Sequence, residues 1–87
     1  NNVFIATALV TMYAKCGELP KARDLFDKHL STFTRDLVSW TSLISGYSHH
    51  GFSEDALKCF DRMRNEGIHP DAFTFSCVSK LTHKRGT

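Results

Sequence analysis

This sequence predicts an all-α protein, a right-handed α-solenoid of helix-turn-helix units, on three observations. The first is self-similarity. At an offset of 34 residues Thr7 falls on Thr41, Leu9 and Val10 on Leu43 and Ile44, Tyr13 on Tyr47, Gly17 on Gly51, Ala22 on Ala56, and Phe26 and Asp27 on Phe60 and Asp61. A fixed period in this range is the mark of a repeat architecture. A third copy begins one residue late, with Phe73 on Val38, Phe75 on Trp40, Ser76 on Thr41 and Val78 on Leu43. The second observation is that apolar residues recur at helical spacing twice within each full copy. The third is a glycine between the two apolar stretches of each copy, Gly17 and Gly51, where a residue tolerating positive φ ends one helix and turns the chain into the next. The copies run over 3–36, 37–71 and 72–87, the last of them a first helix alone.

The elements follow in order. Ile5, Leu9, Met12 and Tyr13 mark the first helix, and Ala22, Leu25 and Phe26 the second, with Pro20 in its opening turn, where a missing N–H costs nothing. Trp40, Leu43, Ile44 and Tyr47 give the third helix, and Ala56, Leu57, Phe60 and Met63 the fourth. Ser53 reads as the N-cap of that fourth helix, with Phe52 and Leu57 placed to form a hydrophobic staple across it. Gly67 closes it, and His69, Pro70 and Asp71 form the loop into the third copy. A hairpin of this length cannot bury its own apolar face, so the copies must stack into a superhelix with a concave, binding side.

Bulk properties constrain function less. At 87 residues the chain is one small domain, and 41% hydrophobic with 23% charged residues is the balance of a folding chain. Eleven Lys and Arg against nine Asp and Glu leave a net charge of +2, which permits a polyanion partner without announcing one. Cys16, Cys59 and Cys77, odd in number and widely spaced, argue against a disulfide framework and read as core residues of a protein from a reducing compartment. No apolar run approaches the roughly 20 residues of a membrane span, and no signal pattern opens the sequence, which predicts a soluble chain. The start at Asn1 and Asn2 and the end inside a helical pattern predict a piece of something longer.

Residues 37–47, LVSWTSLISGY, followed by Gly51, Asp55, Ala56, Leu57, Phe60, Met63 and the run from Glu66 to Asp71, closely resemble the pentatricopeptide repeat. Residues 9–17, LVTMYAKCG, with Ala22, Arg23, Leu25, Phe26 and Asp27, resemble the short variant of the plant-type subclass that alternates repeat lengths. Phe73, Thr74, Phe75 and Ser76 resemble the opening of its long variant. The first copy is longer than a short variant, with the surplus around residues 31–34, so its junction with the second is expected to be irregular. A tetratricopeptide array shares the period but carries a different set of small and aromatic residues.

The resemblance implies single-stranded RNA binding at about one base per repeat. The residue at the fifth position of each repeat, here Thr7, Thr41 and Ser76, acts with the residue at its last position, here Asp36 and Asp71. Phe4, Val38 and Phe73 take the position that packs on base faces, and Lys15 one that meets phosphate; His49 stands there in the second copy. Thr paired with Asp resembles the family's guanine-preferring combination. Read from the residues alone, Thr41 lies about 100° round the helix from Trp40 and heads a polar stripe with Ser45 and Ser48, as Thr7 does with Thr11. Hydroxyls on a solvated helix face are ordinary, Asp36 and Asp71 also suit N-caps, and Phe4 and Phe73 also suit end packing. The family implies an organelle, chloroplast or mitochondrion, and an RNA-processing or RNA-editing role. A protein scaffold or accessory subunit on a larger complex is the alternative. Some relatives end in a zinc deaminase, which needs His-x-Glu and Cys-x-x-Cys; neither pattern occurs here. His29, His49, His50, His69 and His83 lack ligand spacing, no nucleophile–base pair is evident, and no enzyme activity, metal or cofactor is expected.

Overall fold

The computed structural model describes residues 3–31 and 34–86, the last five of them as helical backbone. Asn1, Asn2, the middle of the surplus segment (Thr32 and Phe33), and the side chain of His83 lie outside the described residues. The described chain is all-α: α1 Val3–Lys15, α2 Leu19–His29, α3 Leu37–His49, α4 Ser53–Asn65 and α5 Ala72–Gly86. Helices α1/α2 and α3/α4 form antiparallel hairpins. The first helices stack side by side, α1 on α3 on α5, while α2 leans on α3 and α4 on α5 from the other side. This two-row arrangement is an α-solenoid, 44 Å in its longest dimension and 18 Å in its shortest.

Glycine makes the turns as the sequence predicts. Gly17 and Gly51 have φ of 81° and 86°. The following amides reach back five residues, Glu18 N–H to Tyr13 O at 2.8 Å and Phe52 N–H to Tyr47 O at 2.7 Å, so each first helix ends in a Schellman motif. Gly67 ends α4 in the same way, with Ile68 N–H donating to Met63 O at 3.0 Å. The expected N-cap at Ser53 is corrected: Phe52 is the N-cap, no side chain caps it, and Ser53 is the first helical residue. The turn leaves Phe52 next to Tyr47, and its ring packs edge-on against that residue, 6.3 Å between centroids. α2 starts in the same manner, at Glu18 without a side-chain cap and with proline in its first turn.

The core lies between the rows. Trp40 is fully buried and meets Phe26 edge-to-face, 4.5 Å between centroids, so the second helix of one hairpin is locked to the first helix of the next. Phe60 and Phe75 repeat the contact one copy on, at 5.8 Å. Helices α1 and α3 approach closely at Gly46, where a Cβ would lie 3.0 Å from Ala14 Cβ and from Leu19 Cδ2. The cysteines divide. Cys59 is in the core, where burial pushes its thiol up to about 11, and Cys77 is half-buried. Cys16 corrects the reading of all three as core residues: it sits in the turn after α1 and faces solvent.

The surplus before the second copy forms an irregular junction. Leu30 leaves α2 in an extended conformation, and Ser31 and Thr34 close a turn, Ser31 N–H on Thr34 Oγ1 at 2.8 Å and Thr34 N–H on Ser31 O at 2.9 Å. Arg35 then turns inward. Its guanidinium lies 4.7 Å from the Phe26 ring centroid and pairs with Glu66 at 3.1 Å, tying the loop after α2 to the end of α4. Asp27, 3.7 Å from Arg35 and 3.3 Å from Arg62, extends the network.

Candidate nucleic-acid interface

The exposed edges of α1, α3 and α5 form one furrow. Its central cleft, about 300 Å³, is lined by Lys15, Leu37, Val38, Thr41, Ser42, Ser45, Asp71 and Phe73. Lys15, Val38, Thr41, Asp71 and Phe73 were all singled out from the sequence, and folding brings them together from three helices and one loop. A second hollow, about 380 Å³, continues it through shared Lys15, Ser45 and Phe73 to His49 and His50. Val38 and Phe73 are both more than half exposed, which leaves an aliphatic side chain and an aromatic ring open for packing on a partner.

The other nominated residues lie elsewhere. Phe4 is 86% exposed on α1, and Thr7 is half-buried on the same helix, with its carbonyl accepting from the Thr11 hydroxyl at 3.0 Å. Asp36 is exposed at the start of α3, and Ser76 is exposed on α5, outside the cleft. Of the expected polar stripe, Ser45 lines the cleft, whereas Ser48 donates to Cys77 O at 3.4 Å and so serves the α3–α5 packing.

Both loop aspartates are helix caps. Asp36 accepts from Ser39 N–H at 3.0 Å, while the Ser39 hydroxyl accepts from Asp36 N–H at 3.0 Å, a reciprocal capping box. Asp71 Oδ1 accepts from both Thr74 N–H at 2.9 Å and the Thr74 hydroxyl at 2.7 Å. Those two donors hold the Asp71 carboxyl below the ordinary aspartate range. The Thr74 oxygen is in turn 3.2 Å from Thr41 Oγ1, so Thr41 on α3 and Asp71 in the loop before α5 are joined through a residue of α5. Sequence reasoning missed Thr74. The signal was there, in the Asp71-x-x-Thr74 spacing of a cap, but nothing in it points to Thr41. His50 caps the end of α3, its Nδ1 2.9 Å from Gly46 O, and its ring lies over Gly17, where a Cβ would meet Nε2 at 2.9 Å. Among the described residues no three His, Cys, Asp or Glu side chains gather as a metal site, and no helix is long and apolar enough to cross a membrane.

Comparison with known proteins decides the family. A model described as PPR repeat family matches residues 35–81, and one described as PPR repeat matches residues 4–28. This chain belongs to the pentatricopeptide (PPR) repeat family. Similar proteins come from Arabidopsis thaliana. A mitochondrial pentatricopeptide repeat-containing protein is 44% identical over 78 residues, covering 90% of this chain and 11% of that relative. A putative pentatricopeptide repeat-containing protein is 48% identical over 85 residues, covering 98% of this chain and 14% of the relative. A second relative named as mitochondrial is 45% identical over 86 residues, covering 99% and 9%. The chain thus spans about a tenth of the length of the PPR proteins it matches.

Proposed function

We propose that this chain is a single-stranded RNA-binding module of an organellar RNA-processing or RNA-editing factor, reading about one base per PPR repeat. The observation that carries the reading is the cleft. It gathers two apolar side chains, Val38 and Phe73, a hydroxyl, Thr41, a carboxylate, Asp71, and the Lys15 side chain into one lining. A base packed against the Phe73 ring and the Val38 methyl groups presents its hydrogen-bonding edge to the polar pair, and the cation meets the backbone. PPR proteins generally bind RNA in organelles, and two of the relatives are named as mitochondrial; chloroplast or mitochondrion is the address that follows. On this reading the copies at 3–36, 37–71 and 72–87 are a slightly extended short repeat, a standard repeat and the start of a long one, the order of the plant-type subclass. The Thr7/Asp36 and Thr41/Asp71 pairs then address two adjacent guanines, with Phe4, Val38 and Phe73 packing on base faces and Ser76 opening the next address.

At about 1–3 kcal/mol per stacked base, two bases give about 2–6 kcal/mol, or dissociation constants from tens of millimolar to tens of micromolar. The test must therefore tolerate weak binding. Isotope-labelled chain is titrated at low salt with short RNAs differing only at two bases, and amide shifts are followed by NMR. The expected result is tightest binding to the guanine pair, shifts along α1, α3 and the start of α5, and loss of preference in Thr7→Ala/Thr41→Ala. A different observation favours a non-catalytic scaffold or accessory subunit: Phe4 and Ile5 on α1 and Phe75 on α5 are apolar side chains more than half exposed. Negligible binding to every RNA discards base reading and leaves that docking role.

A further inference from the structure

Hydrogen-bond polarity around Thr74 adds something that residue identities do not contain. Thr74 is fully buried in the first turn of α5 and does not line the cleft. Its oxygen lies between two partners, Asp71 Oδ1 at 2.7 Å and Thr41 Oγ1 at 3.2 Å. A hydroxyl owns one proton, and an ionised carboxylate can only accept. The shorter, charge-assisted bond therefore takes the Thr74 proton. The contact between the two threonines must then use the proton of Thr41, with the Thr74 oxygen accepting. Thr41 is left with lone pairs alone for anything in the cleft. Asp71 is exposed there and keeps a second carboxylate oxygen, again an acceptor.

We propose that Thr74 is a positioning residue for base selection: by drawing the Thr41 proton away, it makes the polar wall of the second copy all-acceptor, which selects a base with two adjacent donors. Guanine supplies them, as N1–H and the N2 amine. Adenine and cytosine put an acceptor ring nitrogen beside their single amine, and uracil has one N–H between two carbonyls. This inference rests on the RNA reading above. It also separates the two copies. At the matching position in the second copy's first helix, the Ser39 hydroxyl donates to Asp36 O at 3.0 Å and accepts from Asp36 N–H, so it is closed on the backbone of its own cap. The proton of Thr7 is not held by such a relay, and the first base is selected less sharply than the second.

The test uses the 87-residue chain and short RNAs carrying guanine or adenine at the second base. Wild-type protein is expected to prefer guanine by about tenfold, the scale of one well-made hydrogen bond. Thr74→Val keeps the shape and the Thr74 N–H cap but frees the Thr41 proton; its preference falls to about twofold or less because adenine binding holds or improves while guanine binding weakens. Thr74→Ser keeps the hydroxyl and restores the ratio. A purely structural role for Thr74 would weaken both RNAs together and preserve the ratio, and that result overturns the proposal. Absence of RNA binding in the wild type overturns the RNA reading and this proposal with it, whereas binding without guanine preference overturns this proposal and leaves RNA binding standing. Should Thr74→Val not fold, the free wild-type chain decides by nuclear Overhauser contacts of the Thr74 hydroxyl proton. Contact with the Asp71 methylene supports the relay, and contact with the Thr41 side chain alone overturns it.

Discussion

The two junctions between copies do the same job with different chemistry. Entering the second copy, the chain runs through Ser31, Thr34 and Arg35, and the junction is held by a largely buried guanidinium on Phe26 and Glu66. Entering the third, over a connection of nearly the same length, it runs through His69, Pro70 and Asp71 and is held at the cleft by the Thr41–Thr74–Asp71 hydrogen bonds. The first junction is fastened from the side of the second helices, away from the cleft. The second is fastened inside the cleft itself. On the proposed RNA reading, stability and recognition are therefore separable in the first junction and shared in the second.

The sharpest break of this comparison lies at the equivalent aromatic positions Trp40 and Phe75. Trp40 has no exposed surface and is enclosed by Phe26, Arg35 and Arg62, whereas Phe75 touches Phe60 and is 53% exposed. Trp40→Ala should cost about 3–5 kcal/mol, the range for deleting a large buried ring, and so most of the stability of a domain this small. Phe75→Ala should cost less than about 1.5 kcal/mol, because the side chain gives up little buried surface. Urea denaturation of both variants checks this, and equal losses would show that the first junction is not the core of the molecule.

Arg35 sharpens the same contrast. Its side chain is 10% exposed and that of Glu66 21%, so the pair is largely out of water, and Arg35→Ala leaves the Glu66 carboxylate, one oxygen of which is buried, without its cation. We expect a loss of about 2–4 kcal/mol, below the full value for a sealed pair because Glu66 retains access to solvent. Arg35→Met, which fills the volume and still orphans Glu66, should recover part of it, and Arg35→Met/Glu66→Leu most of it. Guanine preference should survive in every folded variant, since this junction is fastened away from the cleft. Loss of preference would join the two functions that the geometry keeps apart.

Most of this architecture is legible in the residues. The period, the helix pairs and the glycine turns depend on local backbone preference and apolar spacing, and those survive folding unchanged. The irregular first junction was foreseeable from its surplus length, but the inward turn of Arg35 was not, because its partner Glu66 is thirty-one positions away. Ser53 was misread as a cap because the Schellman turn before it had already fixed the entry of α4 and left Phe52 in that place. Cys16 was misread because a small apolar side chain beside a helix end says nothing about which face the turn exposes. In the cleft, the nominated residues of the second copy came together, while Thr7 and Phe4 stand outside it on α1, the first of the stacked helices. Thr74 was invisible as a determinant because its role depends on the direction of one proton, which spacing does not encode.

Acid gives the smallest expected effect and the one that reads the second junction most directly. The Asp71 carboxyl is held below its ordinary range first by the Thr74 N–H and then by the Thr74 hydroxyl. A group whose folded pKa is depressed stabilises the native state above its unfolded value, about 3.9 for aspartate, and loses that contribution as pH falls through the lower folded value. Between pH 7 and 5 the first turn of α5 should therefore be indifferent to pH. Below about pH 4 its amides should begin to exchange faster, ahead of those in the core of α3. Protonated Asp71 becomes a donor, which removes the reason for Thr74 to point its proton that way, so the Thr41 hydroxyl proton should change environment over the same interval. In Thr74→Val, Asp71 should titrate closer to the ordinary aspartate value, since the second of its two donors is gone. If Asp71 titrates identically in both proteins, the hydroxyl does not favour the ionised carboxylate, and the proton that defines the relay lies elsewhere.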